Sequence, residues 1–415
     1  MPLHKKILLI FLITFGLTNF SLPQTHIYVE KNSTINSIGK ALSLAKDGDE
    51  IIVKSGIYYE SGIVINKSIK LTGKDLPVIS GDKKNEIFTI TSDNVTITGF
   101  TIKNAGVNYL KENAAIRLSN VRNCRIEKNI FVNNFFGIYL SKSSNILIKN
   151  NKISSNGKSE TSSGNGIHLW YSESVSIIGN EIEGHRDGIY FEFSKHCFVK
   201  NNYSKKNLRY GLHFMFSDSC SYIENTFENN GAGVAVMYTK NISMLGNRFI
   251  NNWGAASFGV LLKDLTDCLI AKNIFDKNTN GLYLEGCSRI TIEHNDFIQN
   301  GWALKLMANS QDNFFFENNF IANSFDVLTN SSQNFNLFKR NYWSNYNGYD
   351  LDKNGIGDEP YRPVKMFSVL VERQQAALIL VHSLFIDLLD IAESVVPSLT
   401  PIDLADKQPL MKQRS

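Results

Sequence analysis

The sequence has little excess charge, few chemical motifs and no long apolar segment beyond its first residues. Its 43 basic and 39 acidic residues leave a formal net charge of +4, which is too balanced for a surface that binds nucleic-acid phosphates. No glycine-rich phosphate-binding loop occurs, and the five cysteines form neither a CxxC pair nor a zinc-ligand spacing. A nucleic-acid partner, ATP hydrolysis by the chain itself and a zinc centre are therefore not expected.

The N-terminal residues 1–24 predict a secretory signal peptide. Lys5 and Lys6 form its basic region, and residues 7–17 form an apolar core that is too short to span a bilayer. Polar residues follow from Thr18. The alternative is a short membrane anchor. We expect an exported protein that lies in a periplasm or outside the cell.

A short internal repeat dominates the rest of the chain. Its phrase is a small residue, an apolar residue, any residue and a second apolar residue, with a period near 22. It begins at Ala115, Gly137, Gly166, Gly188, Gly211, Gly233, Gly259, Gly281, Ala303 and Asp326. An asparagine follows in each repeat, at Asn129, Asn151, Asn180, Asn202, Asn225, Asn247, Asn273, Asn295, Asn318 and Asn341. Because a side-chain amide both donates and accepts, stacked asparagines can bond to the turns above and below.

Short alternating strands at this period predict an all-β fold, a right-handed parallel β-helix solenoid. We expect it over residues 25–340, with about ten asparagine-marked rungs over 115–340 and unmarked rungs before them. At ~4.8 Å per rung, ten rungs give a rod of roughly 50 Å. Helical spacing over residues 35–45 predicts an N-terminal capping helix.

The cysteine positions follow the repeat. Cys124, Cys197, Cys220 and Cys268 each lie nine residues after the start of their rung, in a column that other rungs fill with valine or isoleucine. This column predicts buried thiols, because free cysteine packs as a small hydrophobic residue. Cys197 and Cys220 lie on adjacent rungs, where a disulfide is the alternative.

An Asp- and Tyr-rich capping segment, residues 341–364, follows the last rung. Four of its side chains match the spacing of a calcium-binding loop: Asp350, Asp352, Asn354 and Asp358. Tyr361 stands at the twelfth position, where such a loop needs a bidentate glutamate. Calcium is one interpretation, and a turn closed by its own Asx side chains is the stronger one.

Residues 365–397 change to a helical period and predict a C-terminal α-helix, followed by a polar tail over 398–415. Acidic residues interrupt the apolar stripe, so the helix is not expected to span a membrane. A helix this apolar needs more cover than the end of a solenoid provides. A simple cap is one interpretation. The other is a docking helix for a membrane partner, with Met366, Leu370, Leu384 and Leu388 as contact residues.

The outward face of the strands carries the candidate chemistry. The first and third residues after the small residue should point inward, and the second and fourth outward. This places Met215 and Met237 on adjacent rungs, about 5 Å apart at the backbone, with His213 beside Met215 and His168 in the same patch. Thioether and imidazole together are the donor set that selects Cu(I). The alternative is an apolar strip that another segment or a partner covers.

A carbohydrate-active enzyme is the rival interpretation for such a rod. It would need paired acids on this face. The candidates are Glu192, Glu285 and Asp187, and each lies two or more rungs from a partner or next to aromatic residues. A sugar-binding rod that uses Trp170, Tyr190 and Tyr283 as stacking platforms is a third interpretation.

Several segments together resemble the NosD family, the periplasmic maturation factor of nitrous-oxide reductase. They are residues 209–217 (Arg-Tyr-Gly-Leu-His-Phe-Met-Phe-Ser), residues 233–241 (Gly-Val-Ala-Val-Met-Tyr-Thr-Lys-Asn), the 341–364 segment and the terminal helix. The resemblance covers nearly the whole mature chain. It implies a β-helix without enzymatic activity that docks on an ABC transporter in the inner membrane and helps to assemble copper-sulfur centres.

The resemblance also implies partners. The terminal helix would bind the membrane subunit of the transporter, which would hold the protein at the inner membrane. The methionine and histidine face would exchange Cu(I) with a periplasmic copper chaperone, and nitrous-oxide reductase would be the final recipient. The choice of His213, Met215, Met237 and His168 as ligands comes from side-chain direction and donor type, not from the family.

Overall fold

A computed structural model describes residues 25–108, 110–381, 383–396, 400 and 402–414. The predicted signal peptide, residues 1–24, lies outside the described residues. Within them the chain is a parallel β-solenoid of about 14 turns, which confirms the predicted fold class. The rod is longer than its ten marked rungs, because the unmarked turns that precede them carry strands as well. At ~4.8 Å per turn it is roughly 65 Å long.

Three parallel sheets run along the described rod. The first sheet has 14 strands: His26–Val29, Glu50–Val53, Lys70–Gly73, Thr96–Thr98, Arg125–Glu127, Leu147–Lys149, Ser176–Ile178, Phe198–Lys200, Ser221–Ile223, Ser243–Leu245, Leu269–Ala271, Thr291–Glu293, Phe314–Phe316 and Leu337–Lys339. The second sheet has 13 strands: Ile57–Tyr59, Val78–Ser80, Thr101–Lys103, Ile130–Val132, Lys152–Ser154, Glu181–Glu183, Tyr203–Lys205, Thr226–Glu228, Arg248–Ile250, Ile274–Asp276, Asp296–Ile298, Asn319–Ile321 and Tyr342–Trp343. The third sheet has 12 strands: Ile63–Ile65, Phe88–Ile90, Ala114–Ser119, Phe136–Ser141, Ile167–Trp170, Asp187–Glu192, Tyr210–Met215, Ala232–Lys240, Phe258–Thr266, Asn280–Glu285, Trp302–Leu306 and Phe325–Thr329.

The third sheet carries the recurring phrase, and its side chains alternate as predicted. Leu212 and Phe214 are fully buried inside the rod, whereas Met215 is only half-buried. The small residue is required because successive turns approach closely. A Cβ atom on Gly166 would lie 2.6 Å from the carbonyl oxygen of Gly188.

The marked asparagines form the predicted ladder inside the rod. Asn202 donates from its backbone N–H (2.9 Å) and from Nδ2 (3.0 Å) to Oδ1 of Asn225. Asn225 in turn donates from Nδ2 to Asn247 Oδ1 at 3.0 Å and to the carbonyl oxygen of Val199 at 2.9 Å. Each amide therefore joins the turn before it to the turn after it.

A second asparagine ladder, which the sequence analysis did not identify, lies five residues further along each turn. Its members are Asn207, Asn230, Asn252, Asn278, Asn300 and Asn323. His185 holds the corresponding position one turn earlier, and its backbone N–H donates to Asn207 Oδ1 at 3.1 Å. The rod is thus tied along two of its corners.

The cysteines are buried free thiols, as the repeat predicted. Burial raises the pKa of Cys124 and Cys268 to about 11, and that of Cys287 to about 12. Cys197 and Cys220 lie on adjacent turns and are free thiols as well.

Helices lie near both ends of the rod. The predicted N-terminal helix spans Ile38–Leu44, begins at the Ser37 cap and buries Ile38, Ala41 and Leu42. The prediction of a single C-terminal helix over residues 365–397 is wrong. The segment consists instead of helix Met366–Arg373, 3₁₀-helix Gln375–Leu380 and helix Leu384–Val395. Elsewhere in the chain, a short 3₁₀-helix spans Glu160–Ser162. No helix among the described residues is long and apolar enough to cross a membrane.

The terminal helices break because they fold back against the side of the rod. Phe367, Val371 and Ile386 pack with Trp302 and Leu328 on the last turns of the third sheet. A single straight helix could not place its apolar residues on so short a stretch of the rod.

The C-terminal tail, predicted as a polar extension over residues 398–415, packs on the end of the rod in its described part, residues 402–414. Asp406 is fully buried and its Oδ2 accepts from the backbone N–H (2.9 Å) and Nδ2 (3.0 Å) of Asn341. The carboxylate therefore takes the place of one more asparagine at the end of the first ladder. The open end of the solenoid needs such a cap, and the residue that supplies it is 65 positions away in the chain.

Candidate functional site

Met215 and Met237 lie side by side on the outward face of the third sheet. They are Cα partners in the register between strands Tyr210–Met215 and Ala232–Lys240, and both side chains are half-buried. The predicted adjacency of the two thioethers is confirmed. Their role as copper ligands stays a prediction.

His213 shares the strand of Met215, but its side chain is buried, not exposed as expected. Tyr190 and Tyr210 cover it, with ring centroids 5.0 and 4.8 Å away. Its Nδ1 lies 3.3 Å from Nη2 of Arg209, whereas Nε2 has no hydrogen-bond partner. The ring is buried because Tyr190 precedes it in the same outward column and Tyr210 packs on it from its own strand.

An ion pair between Arg209 and Asp187 adjoins His213; the carboxylate is fully buried and the Arg209 side chain is 32% exposed. Arg209 donates from Nε to Oδ1 of Asp187 at 2.9 Å and from Nη2 to Oδ2. Oδ2 is also 3.9 Å from Nδ1 of His213. Burial by itself would raise the pKa of Asp187, but the bonds from His213 and Arg209 outweigh it and hold the pKa below its usual value. Asp187 therefore remains a carboxylate that can orient the imidazole.

His168 does not join the methionine pair. Its ring is stacked on Tyr139 at 4.5 Å and packs against Tyr190 at 4.8 Å. Burial lowers the pKa of His168 to about 3, so the ring is neutral. Because Tyr190 lies between His168 and His213, these two imidazoles cannot bind one ion. His168 is therefore removed from the four predicted ligands, and His213, Met215 and Met237 remain as candidates.

The acids of the rival enzyme interpretation are not arranged as a catalytic pair. Glu285 forms a salt bridge with Lys263 at 3.2 Å. Glu192 lies in register between Trp170 and Met215 on the neighbouring turns, and Asp187 is held by Arg209. Each of the three carboxylates therefore has different neighbours, and they do not form the acid pair that the enzyme interpretation needs.

The predicted calcium loop is closed by its own side chains. Asp350 accepts from the N–H groups of Asn354 (3.1 Å) and Gly355 (2.8 Å). Asp358 accepts from the N–H of Leu351 at 2.7 Å, and Asp352 accepts from Asn354 Nδ2 at 2.8 Å. These bonds form the self-bonded Asx-rich turn that was the stronger interpretation, and calcium stays an untested alternative.

The predicted contact residues of the terminal segment face solvent. Met366, Leu370, Leu384 and Leu388 are 41%, 42%, 73% and 56% exposed. The opposite side of the segment is anchored on the rod. The arrangement leaves an apolar surface without cover from the described residues, which is typical of a site for a partner.

Among the described residues, no three His, Cys, Asp or Glu side chains form a group that could hold a metal ion.

The sequence analysis missed the role of Arg209, although that residue is the first of the segment that carries His213 and Met215. The signal was a basic residue 22 positions after Asp187, which is one turn of this part of the rod.

Two family models match parts of the chain. A family model described as "Periplasmic copper-binding protein (NosD)" matches residues 157–349, and one described as "Right handed beta helix region" matches residues 23–182. The first match includes His168, His213 and both methionines of the outward pair.

Two curated relatives align over most of the chain. A protein of Pseudomonas aeruginosa named "Probable ABC transporter binding protein NosD" is 29% identical over 390 residues, which are 89% of this chain and 90% of the relative. A protein of the same name from Stutzerimonas stutzeri is 27% identical over 391 residues, 89% of each chain. Both are named as binding proteins rather than enzymes.

Solved structures share the fold at low identity. PfbA, a surface adhesin of Streptococcus pneumoniae, has a TM-score of 0.59 at 12% identity and covers 72% of this chain and 91% of its own. A family 28 exopolygalacturonase of Yersinia enterocolitica has a TM-score of 0.62 at 11% identity, with coverage of 74% and 77%. Because one is an adhesin and the other an enzyme, these likenesses concern the β-helix alone.

Proposed function

The chain belongs to the NosD family, and from this premise we propose that it is an accessory protein for copper delivery in the periplasm. In this proposal it docks on the membrane subunit of an ABC transporter, receives Cu(I) from a periplasmic copper chaperone and passes it on for assembly of the copper-sulfur centres of nitrous-oxide reductase. It acts as a binding protein and not as an enzyme.

The observation that carries the copper proposal is the thioether pair on the outward face. Met215 and Met237 are aligned on neighbouring strands, and soft sulfur ligands favour Cu(I) over harder cations. His213 lies on the strand of Met215, and its Nε2 is a buried nitrogen without a partner. Arg209, which can only donate, lies 3.3 Å from Nδ1, and Asp187 lies 3.9 Å from it. Metal binding at Nε2 therefore requires the tautomer whose Nδ1–H is donated to the carboxylate in place of the contact with the guanidinium.

Replacing both Met215 and Met237 by leucine tests this site. Leucine keeps the apolar volume but removes the sulfur, so we expect Cu(I) affinity to fall at least ~10-fold, or ~1.4 kcal/mol, with little change in stability. The measurement is anaerobic competition with a chromogenic Cu(I) chelator. Met244→Leu is the matched control, since Met244 is buried inside the rod. Equal affinities of the double variant and the wild type would contradict the site.

The transporter proposal depends on the terminal segment. Its inner side is held by Phe367 and Ile386 against Trp302, so its outer side is presented on a rigid support. Leu384 and Leu388 are among its most exposed apolar side chains. Such a surface suits a protein partner at the membrane, where an apolar face would otherwise remain in water.

Replacing Leu384 and Leu388 by glutamate should abolish co-purification with the membrane subunit of the transporter, because charges at an apolar interface are left unpaired. Leu351→Glu is the control, since Leu351 is 79% exposed on a different part of the surface. Point substitutions are preferable to deletion from Met366 onward, which would also remove Asp406. Unchanged transporter binding by the double variant would rule out this surface.

A further inference from the structure

Four aromatic side chains form a ladder on the surface beside the methionine pair. They occupy the same corner of four successive turns: Tyr171, Phe193, Phe216 and Tyr238. Neighbouring rings are stacked, with centroids 4.7, 5.1 and 5.0 Å apart and interplanar angles of 21°, 8° and 12°. We call this set the aromatic ladder.

Aromatic residues are unfavourable at this corner because of its backbone conformation. The four ladder residues have φ between 47° and 55°, the left-handed region that bulky side chains rarely adopt. Other turns place Asn120, Asp264 or Gly286 there, also at positive φ. Tyr171, Phe216 and Tyr238 are nevertheless 49%, 42% and 41% exposed. Neither backbone preference nor full burial explains these residues. What they gain is the stacking of their rings and an exposed apolar strip that a partner can cover.

The stacking limits what the ladder can bind. The inner rings, Phe193 and Phe216, have a ring against each face, so only their edges reach solvent. Sugar rings and cations bind to aromatic faces. Ring edges instead accept aliphatic and thioether side chains. The exposed edges therefore suit a polypeptide surface.

The charges beside the ladder point the same way. Two residues beyond each aromatic, the successive turns carry Glu173, Lys195, Asp218 and Lys240. Because the signs alternate, this rim has no net charge to attract a polyanion or an anionic membrane. An apolar strip with a mixed polar rim is the usual anatomy of a protein–protein interface.

We propose that the aromatic ladder is the docking surface for the protein that exchanges Cu(I) with Met215 and Met237. This inference rests on the proposed function. Phe216 and Tyr238 directly follow the two methionines in the chain. A protein that brings its own copper ligands to both thioethers would therefore reach Phe216 and Tyr238, the half of the ladder that adjoins them. The partner carries Cu(I) and presents an apolar contact face.

The size of the surface favours a brief encounter over a permanent complex. The ladder is roughly 15 Å long at ~5 Å per turn. Together with the methionines it is a narrow strip, whereas a stable complex covers ~800 Å² per partner. A second copy of this chain would need a larger interface, whereas an exchange partner must leave after transfer.

The double substitution of Phe193 and Phe216 by asparagine tests the proposal. Asparagine is the residue that the fold places at this corner in Asn120, with φ 55°, so the variant should fold. The probes are a periplasmic copper chaperone loaded with one Cu(I) and, separately, the Cu(I) complex of bicinchoninate. We expect transfer from the chaperone to slow at least ~10-fold, and transfer from bicinchoninate to remain within about 2-fold. Asp264→Asn, at the same corner, is the control and should change neither rate.

Each outcome decides the proposal. Unchanged transfer from the chaperone would overturn it, and equal slowing with both donors would overturn it as well, because the ladder would then act on the metal site itself. A concentration-dependent dimer that the double variant loses would show a second copy as the occupant instead. Failure of the copper site is a separate result, since it would appear as wild-type Cu(I) affinity in the Met215→Leu, Met237→Leu protein.

Discussion

At the scale of the residue, the turns above and below decide how each buried polar group behaves. Asp187 is buried but remains charged, because Arg209 reaches it from the next turn. At His168 and His185 burial is the largest influence and keeps both rings neutral, although the charge of Asp187 acts in the other direction on His168. The same rule leaves His213 beside both a carboxylate and a guanidinium. Titration behaviour is thus set by neighbours about 22 residues away.

The stability of the protein should fall as the pH is lowered from about 7 to about 5, in part through His185. Burial lowers the pKa of His185 from 6.5 to about 4, against a smaller opposite influence of the Gly164 backbone. Between these values the unfolded chain binds a proton that the folded chain does not, so stability is lost as the pH falls. The shift corresponds to ~3 kcal/mol at its full extent.

The variant His185→Asn isolates this effect. Asparagine is the residue of the second ladder on the following turns, so it should fit the position. The measurement is the thermal midpoint of both proteins over this pH range, and the wild type should lose more than the variant. Parallel curves would mean that His185 does not titrate between the folded and unfolded states.

At the scale of the element, the ladders matter more than any single strand. Most strands of the first two sheets have only three residues, which is too short for independent stability. The asparagine amides tie each turn to two others and satisfy the carbonyl groups at the bends. They explain how such short strands hold a regular register along the rod.

Asn225→Ala should lower the free energy of unfolding by about 1–3 kcal/mol, because it removes the side-chain acceptor of the buried Asn202 N–H and the donor to the carbonyl oxygen of Val199. Asn36→Ala is the control, since Asn36 is an exposed asparagine that precedes the marked rungs. Chemical denaturation of the two variants beside the wild type gives the comparison. A loss no greater than that of the control would show that the ladder contributes little.

At the scale of the whole molecule, the two ends of the rod are closed in different ways. The short helix Ile38–Leu44 lies over the first turns, whereas the last turn is closed by the distant tail through Asp406. The terminal helices are left to pack on the side of the rod. The end cap at Asp406 and the apolar surface of the terminal helices, which is proposed to bind the transporter, are therefore separate parts of the C-terminal region.

Asp406→Ala should loosen the C-terminal end of the rod. The side chains of Asn341 and Trp343 both donate to Asp406 Oδ2, and alanine would leave these buried donors without an acceptor. We expect a lower thermal midpoint and faster proteolysis of residues 402–414. Asp406→Asn keeps an acceptor oxygen and should lose much less. Equal protease resistance of the alanine variant and the wild type would contradict the capping role.

The candidate site could be predicted only in part. The adjacency of Met215 and Met237 followed from counting one turn, because in-register parallel strands align equivalent positions. The burial of His213 and the separation of His168 did not follow, since they depend on how Tyr190 and other large side chains fill the column. The aromatic ladder was visible in the sequence, but its importance lies in ring stacking and positive φ, which a period does not show.

The sequence by itself determined the parallel β-helix, the inward and outward alternation and the first asparagine ladder. Each arises from a local period that every turn repeats, so short-range chemistry is enough to specify it. Only the tertiary structure decided that the terminal segment breaks into shorter helices and that Asp406 closes the first ladder. Both depend on contacts between residues far apart in the chain, outside the repeat, where no period carries the information.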